Sequence, residues 1–178
     1  QSGGTFTGGS GTITFSGAST FSGGTFTGGS GTLDFNESVT ISGTAFTSTT
    51  GTASFARNLT VSGTGTFAPN AGTVVFDGAG GTQTVDVLTS VTFTHLTISK
   101  FTGQSLTVAA NDTLSVTGTL TLTDGVIDQT TIPVDGTIKL TSAGAGLSNA
   151  STFDVGSGRL NITGIGVVKI CGRVRVRV

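Results

Sequence analysis

The sequence predicts an all-β fold, a parallel β-helix in which about twenty residues make one coil of three short strands. Three observations lead there: a self-similarity of period twenty, short apolar alternations separated by glycine-rich turns, and a composition nearly empty of helix formers.

The period is visible without any second sequence. Residues 1–20 read QSGGTFTGGSGTITFSGAST, 21–40 FSGGTFTGGSGTLDFNESVT, 41–60 ISGTAFTSTTGTASFARNLT, and the row from 61 VSGTGTFAPNAGTVVFDGAG. Gly3, Gly23, Gly43 and Gly63 share one register. Phe6, Phe26 and Phe46 share a second, and Phe15, Phe35 and Phe55 a third. Phe67 and Phe76 arrive one residue late, as a single insertion in a turn would cause.

Each row contains three strand candidates. In the second they are Phe26 between Thr25 and Thr27, Leu33 with Phe35, and Val39 with Ile41. Alternation of period two turns one set of side chains inward and the other outward. Three strands and three bends return the chain about 4.8 Å above its start, so equivalent residues stack. Phe6, Phe26, Phe46, Phe15, Phe35 and Phe55 are thus predicted to form the core ladder, each buried ring contributing roughly 1.5–3 kcal/mol. Thr5, Thr7, Thr12 and Thr14, with their copies Thr25, Thr27 and Thr32, point outward, and Asn36, Asn58 and Asn111 fall at turns.

After Gly80 the rows lose their strict length but keep the same grammar, as in VTFTHLTIS, GTIKLTSAGAG and STFDVGSGRLNITGIG. The whole chain, 1–178, is expected to be one solenoid domain, regular over 1–80 and less regular over 81–178. It would have about eight or nine turns and a length of roughly 40 Å. A β-sandwich would not explain superimposed Phe columns, and a calcium-binding nonapeptide β-roll fails on the spacing of GGSGTLD at 28–34.

Composition narrows the class further. Charged residues make up 10% and hydrophobic ones 35%, the opposite of a disordered chain. Glycine does not recur every third residue and there are two prolines, so collagen is excluded. With a net charge of −1 and no basic stripe, nucleic acid is not an expected partner. No apolar run is long enough for a helical membrane span, and the single Cys171 makes no internal disulfide. A start at Gln1 rather than Met suggests a mature or trimmed product.

The segment GTVVFDGAGGTQTVDVLTSVTFTHLTISK, followed by SLTVAANDTLSVTGTLTLTDGVID, resembles the repeat regions of large secreted bacterial surface proteins, filamentous adhesins and autotransporter passenger domains among them. The likeness is one of rhythm and composition over most of the chain. It implies a right-handed β-helix serving outside the cell as stalk, adhesin or fibre, and the usual handedness of parallel β connections agrees.

No catalytic, cofactor-binding or metal-binding residue is expected, and no enzymatic activity. Asp34, Glu37, Asp77, Asp86, Asp112, Asp124, Asp128, Asp135 and Asp154 share no register, and Asp124 and Asp128 in TDGVID read as turn residues. His95 is the sole histidine and is placed outward or in a turn; Cys171 reads as a small buried hydrophobe. Asn36, Asn58, Asn111, Asn149 and Asn161 begin N-x-S/T sequons. At the C-terminus Arg173, Val174, Arg175, Val176, Arg177 and Val178 alternate as a two-faced strand, either a last rung blunted by arginine or an interface strand. The leading expectation is an extracellular filament subunit, a homopolymer stacked head to tail; a stalk segment of a larger surface adhesin comes second. Host or matrix surface glycans are a further possible partner, and a polysaccharide-binding or polysaccharide-cleaving β-helix is the third reading.

Overall fold

The computed structural model describes residues 1–101 and 104–124. Beyond them it describes the strand segments Val126–Ile127, Thr137–Leu140, Gly146–Asn149, Phe153–Asp154, Arg159–Ile162 and Val174–Arg175. Among the described residues there is no helix.

The chain winds as a parallel β-solenoid with three strands per coil. The first coil is β1 (Ser2–Thr7), β2 (Ile13–Phe15) and β3 (Ser19–Phe21), and the second β4 (Gly23–Thr27), β5 (Leu33–Phe35) and β6 (Val39–Ile41). The third is β7 (Ala45–Thr47), β8 (Thr52–Phe55) and β9 (Leu59–Val61), and the fourth β10 (Thr66–Ala68), β11 (Thr73–Phe76) and β12 (Thr82–Val87). The fifth is β13 (Ser90–Phe93), β14 (His95–Ser99) and β15 (Ser105–Val108), and the sixth β16 (Thr113–Val116), β17 (Thr119–Asp124) and β18 (Val126–Ile127). Five further strands, β19 (Thr137–Leu140), β20 (Gly146–Asn149), β21 (Phe153–Asp154), β22 (Arg159–Ile162) and β23 (Val174–Arg175), continue the stacks.

Three faces result. One is β1-β4-β7-β10 followed, after a seam, by β13-β16-β19-β22; the second runs unbroken from β2 through β5, β8, β11, β14 and β17 to β20. The third is β3-β6-β9-β12-β15-β18, with β21-β23 beyond it. Pairing is parallel throughout and in the register of the repeat, as in Phe26 beside Phe46 and Phe35 beside Phe55. Phe67 lies beside Phe46, and the residue that makes the fourth row late sits in the turn at 62–65, where Gly65 N–H donates to Ser62 O.

Side-chain alternation puts the core where strand sterics demand it. Leu33, Phe35, Val39, Ile41, Phe55, Leu59, Phe76 and their later counterparts are buried, while the residues between them face solvent or are half-buried. Phe6, Phe26, Phe46 and Phe67 form one column, with ring centroids 4.8, 4.4 and 5.4 Å apart and planes within 15° of parallel. Phe15, Phe35, Phe55 and Phe76 form another, at 4.5, 5.0 and 5.7 Å. Phe21 stands between them, edge-on to Phe26 and Phe46 at 5.1 Å each. Phe93 ends both columns edge-on, 6.1 Å from Phe67 and 6.5 Å from Phe76, and above it the core is aliphatic.

Coil length changes along the axis. Partners are twenty residues apart in the first three coils, as Leu33 beside Ala53, but Val74 lies beside Leu96 and Leu96 beside Leu120. Among the described residues the mean spacing is about 21 residues and the coils number about 6. The surplus residues sit in the corners: 36–38 joins β5 to β6, whereas 77–81 joins β11 to β12.

The columns lead to a first prediction. Phe46 is 1% exposed and held between two stacked rings, so Phe46→Ala should lose about 3–5 kcal/mol in urea unfolding, whereas Phe6→Ala, at a ring 38% exposed with one stacked neighbour, should lose well under half of that.

Candidate functional site

The end face of the first coil is the most unusual surface of the described structure. All six residues of β1 are exposed, and β1, β2 and β3 each pair on one side only, with β4, β5 and β6. In the second coil the carbonyls of Thr27, Thr32 and Ser38 accept from Gly8, Ile13 and Ser19 N–H at 2.7–2.9 Å. Their counterparts in the first coil, Thr7, Thr12 and Ala18, have no strand on that side. A hollow of about 290 Å³ opens on the same face, lined by Phe6, Phe15, Phe21 and Phe26 together with Gln1 and Ser19. The Gln1 ammonium donates to Thr20 O at 2.7 Å, and its side-chain amide to Thr25 O at 3.1 Å and Gly4 O at 3.2 Å. No charged side chain occurs before Asp34.

A second concavity, about 220 Å³, lies at the seam between β10 and β13. Val61, Phe67, Val87, Leu88 and Val91 line it, and Leu88 is 56% exposed. The seam follows from β12, where Val85 rather than an earlier residue pairs with Leu59, displacing the next strand of the first face.

The corner between the second and third faces holds a buried polar cluster. Gln83 points inward from β12, 1% exposed, and its amide donates to Phe55 O at 2.8 Å and Arg57 O at 2.5 Å. Lys100, also 1% exposed, donates to Gln83 Oε1 at 3.0 Å. Asp77 accepts from Ser54 Oγ in the same corner. Burial pushes the Lys100 ammonium below its ordinary 10.5; Asp77 pulls it upward and Arg57 lowers it further. Asp112, buried and accepting Val87 N–H at 2.6 Å, is raised above its ordinary value by burial, against that hydrogen bond and with Asp86 adding to the rise. The cluster joins the third, fourth and fifth coils, with Gln83 reaching the carbonyls of Phe55 and Arg57 and Lys100 reaching the Gln83 side chain.

The residues singled out in the sequence are spread over the rod. Asp34, Asp77 and Asp86 lie on different coils or faces; Asp124 ends β17, Asp154 ends β21, and Asp128 and Asp135 fall outside the described residues. His95 opens β14, half-buried, and its Nδ1 accepts Thr119 N–H at 3.1 Å. Among the described residues no three His, Cys, Asp or Glu side chains come together, and no helix is long and apolar enough to cross a membrane. Asn36, Asn58 and Asn111 are exposed, with Asn58 Oδ1 accepting Thr84 N–H, and Asn111 takes a left-handed φ of 67°. Asn149 and Asn161 lie in strands β20 and β22. Val174 and Arg175 form β23, pairing with Phe153 and Asp154 of β21, while Cys171, Arg173, Val176, Arg177 and Val178 fall outside the described residues.

The fold and its end face define a parallel β-solenoid. No protein-family model, curated protein or solved structure matches the chain.

The lysine corner sets a pH dependence. Between the lowered folded value of Lys100 and its unfolded 10.5, the unfolded chain binds a proton that the folded chain does not, so stability rises with pH across that window and is greatest above 10.5. Urea midpoints measured upward through this range should climb, and Lys100→Met should flatten the climb.

Proposed function

We propose that this protein is an extracellular structural subunit that assembles head to tail into a filament, the first coil of one copy receiving the far end of another. The observation that carries the reading is a repetition: Ser2–Thr12 and Ser22–Thr32 both spell SGGTFTGGSGT. The second coil's lower edge is already covered by the first, strand on strand and ring on ring. The first coil presents the same residues, and no described strand pairs with its other side. An edge that pairs with a coil once has the chemistry to do so again, through main-chain hydrogen bonds and burial of Phe6. The opposite edges, β20, β22 and β23, are likewise paired on one side only among the described strands. A contact between unlike ends does not close on itself and propagates. The extracellular placement is supported by the rhythm shared with secreted bacterial surface repeats and by a Thr-, Ser- and Gly-rich exterior with few charges.

A second reading, a stalk segment of a larger cell-surface adhesin, draws on one hydrogen bond. Ser22 N–H donates to Gln1 O at 2.8 Å, the same contact that Ser42 makes to Phe21 O and Ser62 to Ile41 O, so Gln1 stands in the ladder as an internal residue would.

Purified protein should form unbranched filaments in electron micrographs, and sedimentation should show mass increasing with concentration. Phe6→Lys, which places a charge on the stacking surface, should raise the concentration needed for assembly by at least about tenfold, equivalent to about 1.4 kcal/mol per contact. A strictly monomeric profile of the unaltered protein at high concentration rejects the filament.

A further inference from the structure

We propose that the outward face of β1, β4, β7 and β10 binds ice, its threonines forming a two-dimensional lattice that holds surface water in the positions of a growing crystal. The inference stands apart from the filament reading, because it concerns the side of the rod and does not depend on what lies beyond either end.

The lattice follows from the phase of the strands. On the second and third faces β5, β6 and β9 read buried, half-buried, buried, so each rung turns a single side chain outward. The phase of β7 is the opposite, with Phe46 inward between Ala45 and Thr47, and the first face therefore turns two side chains outward per rung. Register aligns these in two ranks: Thr5, Thr25, Ala45 and Thr66 in one, Thr7, Thr27, Thr47 and Ala68 in the other. Six of the eight positions are threonine and none is charged, so the ranks are nearly continuous. The single ranks of the other faces are interrupted, by Asp34 and Val75 on the second and by Asp86 on the third.

The array is regular in both directions. Two residues along a parallel strand span about 6.6 Å, and successive strands lie about 4.8 Å apart. Sheets ordinarily twist. Beneath this face the rings of Phe6, Phe26, Phe46 and Phe67 stack with planes 8°, 5° and 15° apart, which keeps the rungs aligned. The two repeats are close to those of the oxygen atoms on a prism face of hexagonal ice.

Threonine suits that task. It is stiff at χ1, so little freedom is lost when the face is occupied. Its hydroxyl bonds a water molecule, and its methyl restricts the orientation of the water beside it. Among the described residues none of the six hydroxyls bonds to another part of the chain, whereas the buried Thr44 and Thr49 donate to Gly23 O and Gly31 O. Other occupants fit less well. The two ranks hold no charge to attract an ionic partner, and Phe26 and Phe46 are 1% exposed, so the middle rungs offer a sugar no ring to stack on. Each threonine contributes little by itself, and only an occupant that repeats with the same two periods engages them all at once.

The test is ice growth in supercooled solutions of the full chain. Seed crystals should stay faceted and unchanged through a gap below the melting point, and slowly grown ice should take up the protein. Thr25→Lys, at an exposed position, should leave the urea midpoint unchanged but remove most of that gap. Thr40→Lys, outward on the third face, should leave the gap intact. Ala45→Thr with Ala68→Thr, which completes both ranks, should widen it. Absence of both gap and uptake with the unaltered protein overturns the proposal, as does a loss with Thr40→Lys equal to that with Thr25→Lys. Retention on an insoluble polysaccharide without uptake into ice assigns the face to a glycan and overturns it too.

Discussion

Stacked strands repeat every 4.7–4.9 Å, about the centroid separation that face-stacked phenyl rings adopt, and the lower half of this rod is built on that coincidence. Phe26 and Phe46 stack at 4.4 Å with planes 5° apart, and Phe35 and Phe55 at 5.0 Å. Rings can therefore follow the backbone ladder without tilting or stretching. The same match enforces register, because a slip of one residue would send each Phe to the outer face and break two columns at once. Phe21, set edge-on between the columns, fills the space that two parallel stacks leave and ties one to the other.

Where the rings stop, the spacing loosens. Phe93 closes both columns edge-on, and from that level the core consists of Val, Leu and Ile. Branched aliphatic side chains interdigitate without a preferred facing geometry, so coils of unequal length can be accommodated. The surplus chain is taken up at corners, and its polar backbone must be satisfied there. Gln83 and Lys100 do this for the carbonyls of Phe55 and Arg57, directly and through each other. The seam between β10 and β13 marks the level at which one geometry gives way to the other.

Much of the architecture was legible because the constraint is repetitive. The strands Leu33–Phe35 and Val39–Ile41 fall where alternation placed them, and the late arrival of Phe67 and Phe76 marked the inserted turn residue. The polar corner was not foreseen, although a signal was present: alternation through Gln83, Val85 and Val87 turns Gln83 inward. What the sequence could not supply was its partner, since Lys100 comes from the next coil and meets Gln83 only once corner lengths are known. The seam was hidden for the same reason. The crowding of glycines such as Gly31 and Gly51 against the preceding coil depends on carbonyl positions that no spacing rule contains.

Because each coil bonds only to its neighbours, a pull along the axis is resisted by one set of inter-strand hydrogen bonds at a time, beginning at an end. Peeling off a coil shortens the rod by about 4.8 Å and frees roughly twenty residues, about 65–70 Å of extended chain. Under tension such a rod behaves as a reel: it pays out slack one coil at a time, and the rungs still wound keep their register.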